Sequence, residues 1–189
     1  MKTFIFLALL ISISSLNLKK SYSWSNTLTT KAKQIPGALC SSFTCKANEQ
    51  GGIRVSETRL YNTTSIGLEV YRMYTASTDP KHANMAKKFG SWWSLEKPSG
   101  TKIAYMTNNA ICPEYNFMNR LVVCKLNIGV LLFVGESQSV KCQDKKILGP
   151  NKNMQVFIAD AFEVSKGSLP ASGKGSPFAS CSESDGPLR

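Results

Sequence analysis

The chain has 189 residues, with 23 Lys and Arg against 12 Asp and Glu, a formal charge of +11, and 42% hydrophobic residues. That length fits one domain with a respectable core. A single histidine, His82, excludes chemistry that needs two, such as two-histidine ribonucleases and many metal hydrolases.

The N-terminus reads as a targeting segment. Lys2 precedes an apolar run over residues 4–16, and Ser21-Tyr22-Ser23 follows as a small-x-small pattern. A basic start, a short apolar stretch and a small-residue cleavage site describe a secretory signal. We expect residues 1–23 to be removed, giving Trp24 as the new N-terminus, with the Ser14-Ser15 region as the alternative. The run is too short to cross a bilayer, for which about 20 apolar residues are needed, and no later run is longer. The expected product is secreted and extracellular, with no membrane insertion after cleavage. Removal takes away three lysines and no acids, leaving +8 on 166 residues. Basic residues are spread from Lys31 to Lys174 rather than gathered in one run, without a zinc-finger, RNP-like or helix-turn-helix pattern, so we expect no nucleic-acid partner.

Six cysteines remain: Cys40, Cys45, Cys112, Cys124, Cys142 and Cys181. An even number in an exported chain predicts three disulfides, and six cysteines allow 15 pairings. Cys40 and Cys45 could close a small loop or go to separate partners. Metal binding is the weaker alternative, because one histidine and no Cys-x-x-Cys pair leave few ligands.

In chain order, residues 24–65 read as a polar N-terminal arm pinned by Cys40 and Cys45. Within it Asn62-Thr63-Thr64 is a glycosylation sequon in a turn-like stretch, with Asn62 as acceptor. Residues 66–74 alternate as a strand with Leu68, Val70 and Arg72 on one face. Asp79-Pro80 should open a helix that Gly90 closes, with His82, Ala86 and Phe89 on one side. Further strands are expected at 102–106, 120–126, 129–134 and 154–160, with a turn or short helix between 108 and 119. Residues 166–189 are rich in Gly, Ser and Pro and should be tied back by Cys181. Many short strands and a few helices predict a β-rich α+β single domain stapled by disulfides.

His82 in a lysine-rich segment without a nucleophile elbow reads as a surface residue, so any enzyme here works without a histidine base. Cleavage of the nicotinamide–ribose bond of NAD fits that restriction. Its leaving group already carries positive charge and needs no proton; the protein has to hold the pyrophosphate, clamp the nicotinamide and stabilise an oxocarbenium-like ribose. Arg72, Trp92-Trp93 and Gln155 are residues of the kinds required, far apart in the sequence.

The stretch from about position 70 to 164 resembles the ADP-ribosyltransferase-like fold, and is most similar to necrotizing-toxin type NAD glycohydrolases. Those domains carry an early arginine, then Gly-x-Tyr-Leu-Ser-Pro, a proline turn, a strand ending in glycine, and Gly-Gly-Gly-x-Gln-Tyr. Here Arg72 stands at the arginine and Gly90-Ser91-Trp92-Trp93-Ser94 at the aromatic loop. Ala110-Ile111-Cys112-Pro113 stands at the turn, Phe133-Val134-Gly135 at the strand end, and Asn153-Met154-Gln155-Val156-Phe157 at the glutamine. The chain departs from the pattern at Pro150-Asn151-Lys152-Asn153, which replaces the glycines, and at Asn108-Asn109, which replaces a basic residue. The resemblance implies NAD as substrate rather than cofactor, with Arg72 and Gln155 catalytic. It implies that Arg72, Trp92, Trp93 and Ser94 bind the substrate; with so few ligands in the chain no metal site is expected. Glu136 and Glu163 are rival polar groups to Gln155. ADP-ribosyl transfer to a protein is the neighbouring possibility; it would call for a glutamate near the ribose, for which Glu163 is the candidate. Read without the resemblance, Arg72 is an edge-strand charge, the tryptophans are core, Gln155 is an exposed strand residue, and the chain is a secreted binding domain without catalysis.

Overall fold

The computed structural model describes residues 28–35, 49–54, 56, 58–82, 85–165 and 175–189. The expected signal segment, Cys40 and Cys45 lie outside them.

Among the described residues there are ten strands: β1 Ala32–Ile35, β2 Arg59–Thr63, β3 Glu69–Tyr74, β4 Trp92–Ser94, β5 Arg120–Leu126, β6 Leu131–Ser137, β7 Val140–Lys141, β8 Ile147–Leu148, β9 Asn151–Phe157 and β10 Phe178–Asp185. Helix α1 spans Lys102–Asn108 and α2 spans Ala159–Ser165. Eight strands form one sheet in the order β1-β2-β6-β9-β4-β3-β5-β10, every neighbouring pair antiparallel, and β7 and β8 form a separate hairpin. The architecture is a β-rich α+β domain with few short helices.

The sheet is covered on both sides, which is why β5 reads Leu-Val-Val-Cys with little alternation. Leu68, Val70, Val122, Cys124, Leu132, Val134 and Val156 pack on one face with Leu28, Phe89, Ala161 and Phe178. On the other face Met73 and Leu121 pack with Met118 and Leu188, flanked by Tyr71, Tyr105 and Met106. Gly186 runs close to Met118, where an added Cβ would come within 2.7 Å of the Met118 carbonyl oxygen.

Several expectations change. Residues 102–106 are helical: the Thr101 hydroxyl accepts from Ala104 N–H as an N-cap, and this outweighs the strand-like alternation of Ile103 and Tyr105. The helix expected after Asp79 is a 3-10 turn at Pro80–His82, because the Asp79 carboxylate accepts from Lys81 N–H (2.9 Å) in a local turn. The strand expected at 154–160 runs over Asn151–Phe157 and gives way to α2, so position 163 falls in a helix. Part of the expected N-terminal arm supplies two strands of the main sheet, so Asn62 lies in β2 rather than in a turn; it is half-buried, and its Oδ1 is sealed without a partner. Within the C-terminal tail, β10 pairs along β5.

Two disulfides are present among the described residues. Cys124–Cys181 joins directly opposed positions of β5 and β10, and Cys112–Cys142 joins the loop after α1 to the β7–β8 hairpin.

Candidate functional site

The site begins with a gap in the sheet. Strands β3 and β4 share one residue pair, Tyr71 opposite Ser94. The next contact along that side is Thr75 N–H donating to the Ala86 carbonyl at 2.8 Å. Arg72 bridges the interval. Its Nε donates to the Lys87 carbonyl at 3.0 Å and its Nη1 to the Trp92 carbonyl at 2.6 Å. A Cβ on Gly90 would lie 2.7 Å from Arg72 Cζ, so glycine there leaves room for the guanidinium.

No carboxylate among the described residues forms an ion pair with Arg72. Desolvation lowers its pKa to about 10, opposed by the Tyr105 phenol, and it remains a cation at neutral pH. Burial in turn pushes Tyr105 well above the ordinary phenol range, against the pull of Arg72. Tyr71 is raised to about 12 by burial and by its 2.7 Å hydrogen bond to Glu69. An unpaired cation among protein atoms is costly unless something negative joins it.

Trp92 and Trp93 point to opposite faces, as neighbours on a strand must. The Trp93 ring is 3% exposed, packs on Phe178 at 5.0 Å between centroids, and donates its indole N–H to the Gly90 carbonyl; its side chain belongs to the core. Trp92 is half-buried and lies edge-on to Phe157 at 4.9 Å. It ends a cross-strand row with Phe157, Phe133, Leu60 and Ile35. The Ser94 hydroxyl is occupied by the main chain of Glu96, donating to its carbonyl and accepting from its N–H, so it closes the strand turn rather than offering a nucleophile.

Gln155 sits on β9, opposite Ser94 on one side and Gly135 on the other. It is 9% exposed, and Nε2 donates to the Asn109 carbonyl at 2.6 Å. The alternative reading of Gln155 as an exposed strand residue is therefore replaced by burial. The rival Glu136 faces the other way, 3.6 Å from Arg54.

These side chains enclose a cavity of about 240 Å³ between β3, β4, β9 and the end of α1. Arg72, Trp92, Ser94 and Gln155 line it, as do Trp93, Tyr71 and Tyr105, and Arg72 is the only charged residue among the lining. Sequence reasoning did not single out Tyr105 or Asn109. Tyr105 was concealed by the strand reading of 102–106; Asn109 carried one signal, an Asn at the end of a Thr-capped segment, where helices commonly stop.

The remaining candidates fall outside the cavity. His82 Nδ1 lies 3.1 Å from Ser77 Oγ and 3.9 Å from Asp79, so both neighbours meet the same nitrogen and no Ser-His-Asp relay is possible. Cys112, Glu114 and Cys142 are grouped closely enough for a metal, but both sulfurs are bonded to each other. Among the described residues no helix is long and apolar enough to cross a membrane. Compared with protein-family models, curated proteins and solved structures, the chain has no match.

Proposed function

We propose that the protein is a secreted NAD glycohydrolase that cleaves the nicotinamide–ribose bond to give nicotinamide and ADP-ribose. One observation carries the reading: Arg72, Trp92 and Gln155, from three different strands, line a single cavity in which the arginine is the only charged residue among the described lining.

The chemistry matches that lining. When the bond from ribose C1′ to the nicotinamide nitrogen breaks, its electron pair stays on the nitrogen and cancels the ring's positive charge, so no general acid is required. Arg72 uses two of its five N–H groups on main-chain carbonyls, which leaves three for the pyrophosphate oxygens. The Trp92 indole offers a face for the nicotinamide. Gln155 orients a ribose hydroxyl or the attacking water, which adds to C1′ and releases its proton to solvent. The cavity is smaller than the roughly 300–1,000 Å³ of drug-sized ligand sites, so the nicotinamide riboside end occupies it and the adenosine end lies outside. Export is supported by the N-terminal pattern and by the disulfides, which persist in oxidising compartments.

The test is nicotinamide release from NAD by the purified protein, with Gln155→Ala expected to abolish it while leaving the circular-dichroism spectrum unchanged. Label from NAD appearing on a protein acceptor would make the protein a transferase. No consumption of NAD at all would leave a binding domain.

A further inference from the structure

Helix α1 ends in a tight reversal. Ala110 adopts φ +49°, Ile111 N–H donates to the Met106 carbonyl at 2.9 Å, and Ala110 N–H donates to the Thr107 carbonyl at 3.3 Å. This left-handed closure satisfies the inner carbonyls of the last turn. Asn109 N–H and Nδ2 both donate to the Tyr105 carbonyl, at 3.0 and 2.9 Å, which fixes the peptide that follows. Two amides from β9 complete the helix end: Asn151 Nδ2 donates to the Thr107 carbonyl at 2.5 Å and Gln155 Nε2 to the Asn109 carbonyl at 2.6 Å.

We infer that Asn109 is a positioning residue whose main-chain carbonyl holds the Gln155 amide by its nitrogen, so that Oε1 is presented to the cavity as a fixed hydrogen-bond acceptor. This rests on the proposed hydrolysis for its purpose, though not for its geometry. An amide can rotate by half a turn and exchange its donor for its acceptor; the Asn109 carbonyl removes that freedom, because an oxygen placed at 2.6 Å from another carbonyl oxygen would be repelled. Among the described residues Gln155 Oε1 has no hydrogen-bond partner, and it is not one of their sealed, unpartnered polar atoms, so it is open to the cavity that Gln155 lines. An acceptor oxygen held there suits a ribose hydroxyl or the attacking water.

The same contact sets which residues position 155 tolerates. An ionised glutamate would place negative charge against a carbonyl oxygen at the negative end of α1. It could occupy the position only with its carboxyl protonated. Of the groups around it, Arg72 from β3 opposes that protonation, the phenols of Tyr71 and Tyr105 are kept neutral by burial, Tyr115 lines the same cavity, and Glu136 lies on the opposite face beside Arg54.

Two measurements test the inference. In the intact protein, amide NMR assigned by its loss in Gln155→Ala should show one Gln155 Hε2 proton protected from solvent exchange. For Gln155→Glu, nicotinamide release should rise about tenfold or more between about pH 8 and pH 5, following protonation of one carboxyl, while the wild type varies much less. Rapid exchange of both Hε2 protons, or wild-type turnover by Gln155→Glu at about pH 8, overturns the inference. A protected Hε2 in a protein that releases no nicotinamide would refute the NAD reading and leave the amide lock standing.

Discussion

Replacing Gly90 with alanine puts a methyl group into space held by the Arg72 guanidinium. The added carbon would sit 2.7 Å from Arg72 Cζ, about an ångström inside ordinary carbon–carbon contact. Gly90 has no left-handed backbone to lose, so the whole effect is steric. Either the methyl is accommodated by overpacking, at about 1–3 kcal/mol, or the guanidinium moves and gives up hydrogen bonds to Lys87 and Trp92, worth about 1.5–3 kcal/mol each when one partner is charged. The two outcomes are alternatives in part, and about 2–4 kcal/mol is the expected loss. With a urea dependence of about 1–3 kcal/mol/M, the unfolding midpoint should fall by about 1–2 M. The assay is urea denaturation followed by tryptophan fluorescence, with disulfides intact, on Gly90→Ala alone and combined with Arg72→Ala. In the Arg72→Ala background the same methyl should cost less than about 0.5 kcal/mol, because its obstacle is gone. An equal cost in both backgrounds would refute the placement of the guanidinium against Gly90, and with it the picture of a cation bridging the interval between β3 and β4.

Three further outcomes are expected. Replacing Cys112 and Cys142 by serine removes a cross-link spanning 30 residues, worth about 3.6 kcal/mol by chain entropy; NAD turnover should fall with it, because Ala110, Ile111 and Val140 line the cavity on either side of the bond, and a thermal melt with an activity assay checks both. Removing the cross-link between positions 124 and 181 should cost a similar about 4.2 kcal/mol but leave turnover per folded molecule unchanged, since neither cysteine lines the cavity. Hydrogen bonding from Lys88 and Tyr74 lowers the Glu183 carboxyl from its ordinary value to about 2. A carboxylate with a depressed folded pKa contributes stability that is present above its unfolded pKa of about 4.5 and is lost as pH falls towards 2. Glu183→Gln should therefore flatten the acid limb of stability between those values, as read by denaturation midpoints at successive pH.

How far the sequence could be read depended on what held each element. Strands whose side chains alternate or fill a core were legible: Val70 on β3, with Leu68 just before it, and the apolar run of β5. Elements held by main chain or by local caps were not. The Ser-rich β10 shows no alternation, because it pairs along β5 through backbone hydrogen bonds and the Cys124–Cys181 link. Helix α1 turned on one threonine cap, while its Ile103 is 74% exposed and contributed a misleading alternation. At the site, the opposite facing of Trp92 and Trp93 followed once the two were placed on a strand. The burial of Gln155 did not, because it is imposed by the end of a helix 46 residues earlier in the chain. The gap that Arg72 bridges was also hidden, since the single-pair contact between β3 and β4 leaves no mark in the residue types.

The central claim is that the cavity shared by Arg72, Trp92 and Gln155 cleaves NAD. Its most direct test is chromatographic measurement of nicotinamide released by the disulfide-intact protein, beside Gln155→Ala at matched folded concentration. Steady release by the wild type and none above background by the variant is the predicted result; equal release by both, or none from the wild type, contradicts it.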